Sequence, residues 1–220
     1  MFVFSRSKLE FFQKARKTFV ASVLDVREDA VVTVPGDGSC GIHAVALAAL
    51  IPNLANASQF PVTMKRLFGM EVEGVPDLVE RYVRSGMLAS SMLHENSMWL
   101  KLIQLIRSRM VSAWATLLGS GRADMHNSAT ILKHTEPHEP ICRTAFVALA
   151  SLLECTIKVD HQEKDPTTGT VVLKSTSYSN DAQAPLLVWI FNGPTDATLG
   201  DTCRQSHFDA ILLSTNDRVS

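Results

Sequence analysis

Residues Pro35 to Leu50 read PGDGSCGIHAVALAAL, two glycines, an aspartate and a cysteine set directly ahead of an apolar run. Just before them, AVVTVP (30–35) is rich in β-branched residues. A β run broken by a Gly-Asp-Gly turn and continued as an apolar helix predicts a strand-to-helix junction, with IPN at 51–53 closing the helix. Cys40 then sits at or near the first turn of that helix, where unpaired N–H groups and the positive end of the macrodipole stabilise a thiolate. Gly36 and Gly38 let the chain turn sharply and bring amide N–H groups against a reacting carbonyl, which is how an oxyanion hole is built from main chain. The motif does not decide the matter alone, because Gly-Asp-Gly turns before helices are common.

Working outward, the N-terminal MFVFSRSKLEFFQKARKTFV (1–20) is amphipathic and basic, and its Arg and Lys residues interrupt it too often for a signal-peptide core, so it reads as a surface-packed helix. Downstream, PVTMKRLFG (61–69) and VPDLVERYVRSG (75–86) read as helices stopped by Gly69 and Gly86, with Asp77 capping the second and MLASSMLH (87–94) following. In SMWLKLIQLIRSRMVSAWATLLG (97–119), Trp99, Leu102, Ile103, Ile106, Met110, Trp114 and Leu117 recur at three and four residues. A connection rich in turn formers (119–140) leads to a helix opened by Pro140, with Ile141, Ala145, Leu149 and Leu152 on one face. The chain then turns to β in CTIKVDH (155–161), TVVLKS (170–175), PLLVWIFN (185–192) and HFDAILL (207–213), with EKDPTTG as a hairpin-like turn between the first two.

The last strand carries a second candidate. Residues i and i+2 of a strand share a face, so His207 and Asp209 point the same way while Phe208 and Ala210 point the other. A carboxylate there fixes the imidazole tautomer and leaves the second nitrogen to take a thiol proton. An edge-strand histidine beside a solvated aspartate has the same local sequence.

An N-terminal DGxC at a strand-to-helix turn combined with a C-terminal HxD opening a strand resembles the ovarian-tumour (OTU) family of papain-like cysteine proteases, most of which are deubiquitinases. The matching residues are Asp37, Gly38 and Cys40 at one end and His207, Phe208 and Asp209 at the other. The resemblance implies an α+β papain-like OTU fold, a mixed central β-sheet between helical layers with an additional helical lobe. It implies Cys40 as nucleophile, His207 as general base and later acid, Asp209 as orienter of His207, and Asp37 as the aspartate that shapes the loop before the cysteine. Ubiquitin or polyubiquitin chains would be the partner, cleaved at the C-terminal glycine by a monomeric enzyme that needs no cofactor or metal. Where the family usually has a bulky residue after the cysteine, this chain has Gly41. The span from Cys40 to Pro140 exceeds what compact members need, which predicts one domain over 1–220 with an inserted helical arm at about 76–135. Met87, Met92 and Met98 are its expected exposed contacts with ubiquitin. These departures point to a divergent member, of the kind a pathogen would direct at host ubiquitin. Two other readings stay open: a non-catalytic ubiquitin-binding or adaptor module, and a cysteine peptidase for a ubiquitin-like modifier.

Composition narrows the class. With 46% hydrophobic and 20% charged residues the chain can bury a sizeable core, and 21 Lys and Arg against 22 Asp and Glu provide no global field for nucleic acid or anionic lipid. No apolar run approaches the roughly 20 residues of a membrane span. The four cysteines (40, 142, 155 and 203) form no C-x-x-C pair, which favours free thiols in a reducing, cytoplasmic compartment over disulfides or structural zinc. Cys142 and Cys155 fall where small buried hydrophobes are expected, and Cys203 lies in the loop GDTCRQS. His134 and His138, separated by Pro137, read as linker histidines. His43, one turn after Cys40, reads as structural or substrate-contacting rather than as the base.

Overall fold

All 11 residues of the helix that follows the Gly-Asp-Gly turn, α2 (Cys40–Leu50), are buried. A helix apolar on every side belongs inside a fold, covered by other elements. Those elements come from a computed structural model describing residues 6–34, 38–85, 97–121, 141, 143–165, 167–179, 185–194 and 206–212. Besides α2 it has α1 (Arg6–Leu24), α3 (Gln59–Phe68), α4 (Val75–Ser85), α5 (Met98–Gly119) and α6 (Arg143–Leu153). The strands are β1 (Val31–Val32), β2 (Thr156–Lys164), β3 (Val171–Tyr178), β4 (Leu186–Pro194) and β5 (Ser206–Ile211).

The sheet order is β1-β5-β4-β2-β3, with β2 and β4 parallel and every other pair antiparallel. Period-two alternation sorts the strand side chains onto two faces. Ile157, Val159, Val188, Ile190, Phe208 and Ala210 join the main core with α2 to α6, whereas Val31, Phe191 and Ile211 form a smaller core with Val20 and Ala21 of α1. The sheet therefore lies between α1 and the remaining helices, the α+β arrangement of a mixed sheet between helical layers.

Much of the local reading recurs. Helix α5 buries all seven residues of the predicted stripe, and Arg107 with them. Helix α3 ends at Gly69 in the left-handed region (φ 79°). The β2–β3 turn is closed by the Asp165 carboxylate, which accepts from the Thr167 and Thr168 amides at 2.7 and 3.1 Å. Three details differ. Among the described residues 30–34 of AVVTVP, the strand is Val31 and Val32 alone. Helix α4 starts at Val75, so Asp77 lies inside its first turn, where a carboxylate meets the helix dipole instead of capping it. On α6 the buried residue near the C-terminus is Leu153, and Leu152 is half-buried.

The described parts of the 76–135 segment belong to α4 and α5, and both feed the main core. Val79, Tyr82, Trp99, Ile106 and Met110 are essentially inaccessible, and Met98 is packed against the same core rather than exposed. Met87, Met92, Gly86, His134, His138, Pro140, Cys142 and Cys203 lie outside the described residues.

Candidate active site

Cys40 is the first residue of α2, at the end of a turn in which Gly38 takes φ 81°, a conformation that glycine adopts without strain. The Ser39 carbonyl accepts from the Ile42 and His43 amides at 2.9 and 3.0 Å and so starts the helix one residue before the thiol. Asp37 lies outside the described residues.

Strand β5 reaches the same point from the other end of the chain. His207 and Asp209 share one face of β5, opposite Gly193 and Phe191 of β4, while Phe208 and Ala210 enter the main core. His207 is buried, with the Cys40 side chain close enough to raise its pKa. Its Nε2 lies 3.4 Å from Oδ1 of Asp209. At that separation the contact is an ion pair at the outer limit of hydrogen bonding, and Oδ1 has no closer partner among the described residues. Cys40, His207 and Asp209 are thus brought together from opposite ends of the chain.

Electrostatics tie the three together. Burial alone would lower the His207 pKa, but hydrogen bonds with Asp209 and Cys40 and the Asp209 charge outweigh both burial and the opposing Arg16 charge, raising it from 6.5 to about 9. For Asp209, burial favours the neutral acid, yet contacts with His207 and Arg16 hold the carboxyl below the usual range. At neutral pH the buried site therefore holds an imidazolium, a carboxylate and a guanidinium.

Sequence reasoning missed the groups that brace this site. Arg16 of α1 binds the second oxygen of Asp209, with Nε at 2.7 Å. Arg107 of α5, fully buried, donates from Nη2 to Ser39 Oγ at 2.9 Å and to the Gly38 carbonyl at 3.4 Å. The Tyr82 hydroxyl of α4 donates to the Thr33 carbonyl, and burial, followed by the Asp209 charge, raises its pKa and keeps it a donor. Trp99 holds His43, which is wholly buried. Arg107 did leave a signal: it sits four residues after Ile103 and three before Met110, a cation on an apolar stripe. Arg16 left a fainter one, one turn before Val20 on the face of α1 that packs on the sheet.

The glycine after the cysteine has a local cause. A Cβ on Gly41 would lie 2.7 Å from the Ile141 side chain and 3.3 Å from the Phe208 ring. Ile141 and Phe208 already occupy the space that a bulky residue would fill.

Against solved structures, the chain resembles a chain of the h/ceOTUB1–ubiquitin aldehyde–UBC13~Ub complex, with a TM-score of 0.51 and 11% identity over 90% of this chain and 81% of that one. The fold is OTU-like. A chain of the h/ceOTUB1–ubiquitin aldehyde–UBCH5B~Ub complex matches 82% of this chain and 75% of its own length at 11% identity and a TM-score of 0.44. No protein-family model matches, and no curated protein matches. Among the described residues, no cluster of three His, Cys, Asp or Glu side chains could hold a metal ion, and no helix is long and apolar enough to cross a membrane.

Proposed function

We propose that the chain is a thiol-dependent deubiquitinase that hydrolyses the isopeptide bond at the C-terminal glycine of ubiquitin. The observation that carries this reading is the convergence of Cys40 at a helix start with a buried His207–Asp209 pair from the opposite end of the chain. The OTU-like fold supports it, since the similar solved chain belongs to a complex containing ubiquitin aldehyde. In this scheme the proton of the Cys40 thiol rests on His207, and the thiolate paired with that imidazolium attacks the glycine carbonyl carbon. Backbone amides of the turn leading to Cys40, a turn shaped by Asp37 as the family resemblance implies, hold the resulting oxyanion. Collapse of the tetrahedral intermediate breaks the C–N bond as His207 protonates the leaving lysine amine. Water, deprotonated by His207, then hydrolyses the thioester and frees both thiol and glycine carboxylate. The glycines beside the thiol suit a narrow Gly-Gly tail.

The test is labelling with a ubiquitin probe that carries a C-terminal alkyne electrophile. The expected result is an adduct of one ubiquitin mass that is lost in Cys40→Ala and strongly reduced in His207→Ala. Binding of free ubiquitin without labelling would favour an adaptor, and neither binding nor labelling would point to another modifier or protein substrate.

A further inference from the structure

Arg16 stands on α1, across the sheet from α2, yet its side chain is only 11% exposed and ends on the buried Asp209. Its Nε lies 2.7 Å and its Nη2 2.6 Å from the same oxygen, Oδ2, and Nη2 also reaches the His207 carbonyl at 3.3 Å. The terminal torsion of an aspartate is broad and roughly two-fold, so an untethered carboxylate has no fixed plane. Here both guanidinium nitrogens hold Oδ2, which leaves Oδ1 directed at Nε2 of His207. The planar fork of an arginine is suited to this, because it fixes direction as well as charge.

We infer that Arg16 is a positioning residue: by holding Oδ2 of Asp209 and the His207 carbonyl it turns Oδ1 toward Nε2, so that a competent thiol site requires α1 to be seated on the sheet. The inference rests on Cys40, His207 and Asp209 acting as proposed above. Helix α1 is attached through a small core of its own, Val20 and Ala21 against Val31, Phe191 and Ile211, which is separate from the core around α2. The second half of the triad is therefore held from the opposite layer to the one that carries the nucleophile.

Besides each other, His207 and Asp209 both feel Arg16 from α1, and His207 feels Cys40 from α2, while the Asp209 charge in turn acts on Tyr82 of α4. Substitution separates the charge of Arg16 from its geometry. Arg16→Lys keeps the cation and loses the fork, whereas Arg16→Gln loses both.

The experiment measures kcat and KM on ubiquitin bearing a C-terminal fluorogenic amide, with the His207 titration followed by NMR. Arg16→Lys is expected to lower kcat by about tenfold to a hundredfold, with KM little changed and the His207 titration close to wild type. Arg16→Gln is expected to lose at least as much kcat and to move the His207 titration to higher pH, because the opposing cation is gone. Wild-type kcat in Arg16→Lys, or in folded Arg16→Gln, overturns the inference. Should Arg16→Gln fail to fold, the split between kcat and KM in Arg16→Lys decides alone. If the wild-type chain does not turn over ubiquitin, the deubiquitinase reading fails separately, and alkylation of Cys40 by iodoacetamide reads the thiol–imidazole pair without substrate. An alkylation rate reduced on the order of tenfold in Arg16→Lys at neutral pH supports the positioning role, and an unchanged rate refutes it.

Discussion

The indole Nε1 of Trp99 donates to Nδ1 of His43 across 2.8 Å, joining the first turn of α5 to the helix that carries Cys40. The His43 Nδ1 is the acceptor, and this fully buried imidazole, one turn from the thiol, ties α2 to α5. With Arg107 on Ser39 and Gly38, and Tyr82 on Thr33, this contact makes α4 and α5 a brace for the segment leading into Cys40.

Removing one end of the Trp99–His43 bond strands a buried acceptor. Trp99→Phe is expected to cost about 1–3 kcal/mol of stability in urea unfolding, beyond the loss of ring area. Adding His43→Leu removes the stranded acceptor and should recover part of that loss. A double variant weaker than the sum of the two single variants would contradict the pairing.

The space after Cys40 is shared by Gly41 and Ile141. Gly41→Leu overfills it and should cost about 1–3 kcal/mol, while Ile141→Ala empties it and should cost about 2–5 kcal/mol. Combined, the two should be far less damaging than their sum, which a double-mutant cycle on unfolding free energies measures. Strict additivity would show that the two positions do not share the space.

Stability should fall on the alkaline side. The folded His207 pKa of about 9 lies above its ordinary 6.5, so its stabilising contribution is complete below about pH 6.5 and is lost as pH rises through 9. Chemical denaturation across that window should show a loss of a few kcal/mol, and His207→Ala should flatten the slope. Asp209, with its pKa held low, acts with the opposite sign and loses its contribution on acidification.

The other described thiol, Cys155, is buried, and that burial, only partly opposed by Arg66, pushes its pKa up to about 12. In the folded chain at neutral pH, mass spectrometry after iodoacetamide treatment should find Cys155 unmodified. Cys155→Ala should leave probe labelling of Cys40 unchanged.

Local sequence determined what local physics controls. The three-and-four spacing from Trp99 to Leu117 determined a buried helix face, Gly69 a left-handed stop, and EKDPTTG a hairpin turn. The i,i+2 spacing of His207 and Asp209 determined that the two share a face. Each follows from backbone geometry within a few residues. Only the tertiary structure decided which face meets which: β2 lies parallel to β4, β5 lies between β1 and β4, and α1 covers the far side of the sheet. It also decided the polar contacts that hold the site, Arg16 to Asp209 across 193 residues, Arg107 to Ser39 across 68 and Trp99 to His43 across 56. Periodicity encodes the side of an element on which a residue lies and carries nothing about its partner there. A cation on an amphipathic helix has the same local pattern whether it faces water or a buried carboxylate, and only the closed fold, by removing the water, distinguishes the two.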